Sequence, residues 1–74
     1  MDYYTTVKVV NKEGKPIKSE VSCGGTYRGY TDATTGEIHF NLSSDGWYNV
    51  SAKRSGKSTS GKVQGGREIT LREK

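Results

Sequence analysis

Glu37-Ile38-His39-Phe40-Asn41-Leu42-Ser43-Ser44-Asp45-Gly46-Trp47-Tyr48-Asn49-Val50-Ser51-Ala52 decides the fold of this chain. Its first six residues alternate without exception, with Ile38, Phe40 and Leu42 on one side and Glu37, His39 and Asn41 on the other. That period of two belongs to a half-buried strand and to no helix. Ser43-Ser44-Asp45-Gly46 then breaks the alternation with turn residues. A second alternating run follows, with Tyr48, Val50 and Ala52 inward and Trp47 in the opposite phase, at least partly exposed.

The same grammar extends in both directions. Upstream, Tyr3 to Val10 reads as a strand with Thr5, Val7 and Val9 on one face, ended by Gly14-Lys15-Pro16-Ile17. A strand over about Lys18–Cys23 places Val21 and Cys23 together, and Gly24-Gly25 leads into a third over Thr26–Thr31. Thr31-Asp32-Ala33-Thr34-Thr35-Gly36 is the next turn. Downstream, Lys57–Gln64 is polar and reads as an edge strand or mobile hairpin. Gly65-Gly66 introduces a last strand, Glu68–Leu71. No window repeats apolar residues at helical spacing. About seven short strands and no helix give an all-β sandwich or small barrel.

Seventy-four residues make one domain, spanning 1–74, with 30% hydrophobic side chains to concentrate on a few inward faces. A domain this small buries only about 60% of its unfolded surface. Cys23 is the only cysteine, so no internal disulfide forms. The lone thiol reads as a small buried hydrophobe, and it favours a reducing compartment. The first residues carry no basic, apolar leader and no run approaches a membrane span, so the expected location is cytoplasmic. It becomes extracellular if the chain is an excised module. On the cytoplasmic reading the two sequons, at Asn41 and Asn49, are chance matches.

The matching positions Val7, Val9, Gly14, Pro16, Ile17, Val21, Thr31-Asp32, Gly36, Ile38, Phe40, Gly46, Tyr48, Val50 and Ala52 bring a family into view. Over about Thr6 to Leu71 the chain resembles the carboxypeptidase regulatory-like domains. These are transthyretin-like (prealbumin-like) β-sandwiches, close in pattern to Cna B-type repeats. The resemblance implies a single seven-stranded antiparallel Greek-key sandwich of immunoglobulin-like or prealbumin-like form. It also implies a non-catalytic accessory, a stalk, spacer or docking module, rather than an enzyme. Two activities known in such domains find no residues here. A Lys8 cross-link lacks an Asn or Asp in the last strand. Tyr27-Arg28-Gly29-Tyr30 is similar to a hydrolase signature but ends in Tyr, lies mid-chain and has only His39 for company.

Other chemistry is weakly supported. Gly56 to Lys62 has phosphate-loop spacing, but Val63 stands where Ser or Thr is needed and no helix follows. One His and one Cys on separate strands build no metal site, and His39 reads as exposed on an outer sheet face. No cofactor is expected.

Charge is the best functional hint. The excess of +4 lies entirely in residues 38–74, and no carboxylate occurs between Asp45 and Glu68. Lys53, Arg54, Lys57, Lys62 and Arg67 are expected to cluster on one hairpin and its flanks. Two roles follow: lysines that protect a solvated edge, or a patch for an anionic partner. Trp47, Tyr27 and Tyr30 are candidate aromatic contacts, with Trp47 beside Tyr30 as a patch for a protein or sugar ring. The favoured partner is a protein or a second copy, met through a sheet face or edge. Nucleic acid is the alternative, with bases stacked on those aromatics.

Overall fold

The computed structural model describes residues 2–73, and the alternating runs become seven strands with no helix. They are β1 (Tyr3–Val10), β2 (Glu20–Cys23), β3 (Thr26–Tyr30), β4 (Glu37–Leu42), β5 (Trp47–Arg54), β6 (Lys57–Gln64) and β7 (Glu68–Arg72). They form two sheets, one ordered β4-β1-β7 and the other β3-β2-β5-β6. The chain crosses between sheets after β1, β3, β4 and β6, leaving β2–β3 and β5–β6 as the hairpins.

The sequence pattern implied antiparallel pairing throughout, and one pair departs from it. β1 and β7 run parallel, with Val7 beside Ile69 and Val9 beside Leu71. The physical reason is their separation along the chain. A parallel pair needs a long connection, and here the whole four-stranded sheet lies between the two strands.

Strand phase builds the core. Val7 and Val9 from β1, Val21 and Cys23 from β2, Leu42 from β4, Val50 and Ala52 from β5, Val63 from β6 and Leu71 from β7 are buried together. Ile38, Phe40 and Tyr48 pack against them, half-covered. Tyr48 lies inward with its hydroxyl at the rim, 2.9 Å from the Ser44 hydroxyl. Burying these groups is the main term favouring the folded chain.

β3 ends one residue earlier than expected, at Tyr30, β7 one later, at Arg72, and two further boundaries moved for identifiable reasons. β2 begins at Glu20 rather than Lys18 because the preceding segment passes between the sheets. Ile17 donates its N–H to the Val9 carbonyl at 3.2 Å. The buried Thr31 hydroxyl donates to the Ile17 carbonyl at 2.6 Å and accepts from the Ser19 N–H at 2.7 Å. This side chain takes over pairing that a sheet ladder would otherwise supply. β5 runs on to Arg54 because Ser55-Gly56, with φ of 49° and 80°, closes a two-residue hairpin.

Gly36 marks a point where only glycine fits. Its φ is 73°, and an added Cβ would lie 2.7 Å from the Val9 carbonyl oxygen. The Asp32–Gly36 turn is thereby tucked against the end of β1, where Val9 donates to Gly36 at 2.8 Å. The Asp32 carboxylate holds the turn from inside by accepting from the N–H groups of Thr34 and Thr35 at 2.7 and 3.1 Å.

Candidate binding surface

Alternation along the four-stranded sheet sends one set of side chains to the core and the other to an uncovered outer face. Register fixes the rows of that face. Tyr30, Glu20, Lys53 and Ser58 form one row, and Tyr27, Ser22, Ser51 and Ser60 the next. Asn49 then pairs with Lys62, and Trp47 with Gln64. Trp47, Tyr27 and Tyr30 are 68%, 55% and 55% exposed. All three belong to this face.

They do not form one patch. Tyr27 and Tyr30 meet edge to face with ring centroids 6.4 Å apart, a favourable aromatic geometry. The bulge between them makes this possible, because Arg28 has no partner across β2 and lets both tyrosines face outward. Arg28 itself swings inward, its guanidinium 5.1 Å from the Phe40 ring centre. Lys18 caps the other side of Tyr30 at 5.2 Å from its ring centre. Trp47, in contrast, lies six residues along β5 from the Tyr30 row, about 20 Å at strand rise. The expected neighbourhood of Trp47 and Tyr30 is therefore not formed: the two occupy opposite ends of one face.

The basic residues are likewise strung out rather than clustered, because an extended chain separates successive side chains by more than 3 Å each. Lys53 and Lys57 flank the β5–β6 turn, Lys62 lies five residues further along β6, and Arg67 falls in the β6–β7 turn at the other end. There the Arg67 carbonyl accepts from the Thr6 N–H of the three-stranded sheet at 3.1 Å. Arg54 is committed internally. Its Nε and Nη2 donate to the two oxygens of Glu73 at 3.2 and 2.8 Å, and the Glu73 side chain is only 8% exposed. The guanidinium holds that carboxyl below its ordinary range, and Glu73 in turn raises Arg54.

Lys53 sits directly across from Glu20, which also accepts from the Tyr30 hydroxyl at 3.4 Å. The open groove of about 520 Å³ at this end is lined by Glu20 together with Lys53, Arg54 and Lys57, so it mixes both signs. The Gly56–Lys62 segment is the hairpin turn and most of β6, a geometry that offers no helix N-terminus to a phosphate. Of the five cations Arg54 alone has a carboxylate within 4 Å among the described residues; Lys53, Lys57, Lys62 and Arg67 have none.

Cys23 is fully buried, and burial pushes its thiol up while the Arg28 charge pulls the other way. A raised, inaccessible thiol is a poor nucleophile. His39 is exposed on the outer face of the three-stranded sheet, and it has company that the sequence did not reveal. Tyr4 stacks on it with centroids 5.4 Å apart, Thr6 lies 2.8 Å from its Nδ1, and Glu37 lies 3.4 Å from its Nε2. Tyr4 carries no distinguishing sequence signal; only the β1–β4 register brings it there. No group of three or more potential metal ligands occurs among the described residues, and no helix is long and apolar enough to cross a membrane.

The outer face thus carries paired tyrosines at one end, tryptophan at the other and a serine-rich strip between. No family model matches the chain, and comparison with curated proteins and with solved structures likewise returns no match.

Proposed function

We propose that this chain is a non-catalytic binding module that meets a protein partner through its four-stranded sheet. The single observation carrying this reading is the placement of Trp47, Tyr27 and Tyr30. A chain short of apolar residues spends three of its large aromatics on one uncovered face. Aromatic side chains of this kind supply most of the contact energy at protein interfaces, with small polar residues around them excluding water. Ser22, Ser51, Ser60 and Asn49 provide that polar surround. The crossing pattern of the two sheets supports a Greek-key, prealbumin-like arrangement, and with it the accessory role that such domains serve. The absence of a match leaves this family reading on the residues alone.

A nucleic-acid role draws support from the same face, since lysines and outward aromatics share it. The charges weigh against it. Arg54 is paired with Glu73, Lys53 faces Glu20, and Arg67 lies at the far end. Too few cations remain in line for the multiple phosphate contacts that sustain such binding.

The test is capture from the cells that make the protein, compared across Trp47→Ala, Tyr27→Ala/Tyr30→Ala and Tyr4→Ala. The first two variants should lose at least about ten-fold in retained partner while unfolding as sharply as the parent. Tyr4→Ala, on the opposite sheet, should retain it. Loss confined to Tyr4→Ala contradicts the assignment, as does a partner released wholly by nuclease.

A further inference from the structure

Every open sheet carries edges whose N–H and C=O groups invite another strand, and folded domains usually blunt them. In this sandwich two of the four edges are blunted, and a third, β4, is closed at its start, leaving His39 and Asn41 outward. β3 is interrupted by the Arg28 bulge. At the start of β4, Glu37 is occupied on both sides, its carbonyl accepting from Asp32 at 3.0 Å and its N–H reaching the Thr35 hydroxyl at 3.3 Å. β7 lies under β6, and its Arg72 carbonyl accepts from the Thr59 hydroxyl at 3.1 Å.

The β6 edge differs. Gly65 donates to Gly46 at 3.0 Å, which sets the parity of the β5–β6 ladder. Odd-numbered residues of β6 bond to β5, and the even-numbered ones turn their backbone groups outward. Gln64 spends its carbonyl on the Arg67 N–H at 3.0 Å. Ser58, Ser60 and Lys62 keep both groups, with no hydrogen bond to either among the described residues. The edge is eight residues long, without proline or bulge.

Its charge selects what can dock. Lys57 and Lys62 lie on the strand itself, and from Asp45 to Glu68 the intervening chain has no carboxylate. Lys62 lies on the outer face, in the row of Asn49, and Lys57 in the opposite, inward phase, and a second copy of this edge offers neither a carboxylate. An extended segment with carboxylates at alternate positions sets opposite charge beside Lys62 on the outer face. On its inner side it would run beside Gly61, where the absent side chain leaves Ile69 as the wall; an added Cβ there would lie 3.2 Å from the Ile69 Cδ1. Small apolar residues fit that side.

We infer that β6 takes an acidic, extended peptide segment as an added strand, its carboxylates on the outer face and its small apolar residues over Ile69. This rests on the binding role proposed above and names the partner's chemistry. Backbone bonds to Ser58, Ser60 and Lys62 give affinity, and the Lys62 charge gives the preference for acidic sequence.

The probe is a blocked Glu-Val-Glu-Val-Glu-Val-Glu peptide titrated into the isotope-labelled full chain, followed by amide shifts and amide exchange. Slowed exchange and shift changes centred on Ser58, Ser60 and Lys62 are expected, with no binding of the Lys-Val counterpart. Ser60→Pro removes one outward N–H without touching the β5 ladder, a substitution that sheet edges accept. It should weaken binding at least about ten-fold, as should Lys62→Glu. Unchanged affinity in Ser60→Pro overturns the inference. So do changes centred on His39 and Asn41 of β4, or binding of a short oligothymidylate in place of the peptide. Should Ser60→Pro fail to fold, the exchange rates at Ser58, Ser60 and Lys62 and the Lys62→Glu affinity decide the matter. Retained partner capture with a silent peptide sinks the edge inference alone; loss of capture specificity sinks the module reading beneath it.

Discussion

Thr31 shows how much structure one hydroxyl can carry in a domain with so small a core. It is buried, and its oxygen serves both the Ile17 carbonyl and the Ser19 N–H. Thr31→Val keeps the shape but leaves both backbone groups without their partner, at a cost of about 2–3 kcal/mol. Urea unfolding should report that loss with Thr31→Ser near the parent; a change under about 0.5 kcal/mol would contradict the account. The sequence marked Thr31 as the start of a turn, which it is. It gave no sign that the side chain faces inward, because a threonine before Asp-X-X-X-Gly reads the same whether its hydroxyl meets water or a carbonyl. Arg54 was illegible for a related reason. Its partner, Glu73, is nineteen positions away, and nothing local distinguishes a committed arginine from a free one.

Among the elements, the strands with clean alternation were the legible ones. Tyr3–Val10 and Glu37–Leu42 match their expected bounds, because a period of two with one apolar face has a single reading. β6 was ambiguous because its inward positions, Thr59 and Gly61, are small enough to let β7 approach closely. A Cβ on Gly61 would come within 2.9 Å of Leu71. A strand packed through small residues looks polar in sequence although one side of it lies against the other sheet. The turn that begins it stores removable strain. Ser55 adopts φ of 49°, a left-handed conformation that Asn tolerates better. Ser55→Asn should stabilise the hairpin by about 0.5 kcal/mol, seen as a rise of about 2–4 °C in the unfolding midpoint. A fall in the midpoint would mean that the turn is not as described.

At the scale of the whole molecule, the parallel β1–β7 pair closes the chain's two ends into one sheet, and Glu73 continues it by donating its N–H to Val10 at 2.8 Å. No local pattern specifies that closure; it follows from where the rest of the sandwich leaves the last strand. It also gives the fold an acid limit. Backbone N–H groups hold Asp32, and Arg54 holds Glu73, below their ordinary values of 3.8 and 4.5. Folded carboxyls that resist protonation stabilise the fold fully above the unfolded values. That contribution is lost as pH falls through the lowered folded ones. The unfolding midpoint should therefore be flat above about pH 5 and drop below about pH 4. Asp32→Asn/Glu73→Gln should flatten that drop, and an unchanged acid limb would contradict these two anchors.

The two outer faces compete for the role of contact surface, one bearing Trp47, Tyr27 and Tyr30 and the other Tyr4 stacked on His39. A photo-reactive benzophenone side chain placed at Ser60 or at Thr70, both exposed and each on a different sheet, separates them in a single experiment. Cross-linking in the producing cells should yield a discrete protein adduct from position 60 and none from position 70. An adduct only from position 70, or equal labelling from both, would contradict the claim that the four-stranded sheet is where this protein meets its partner.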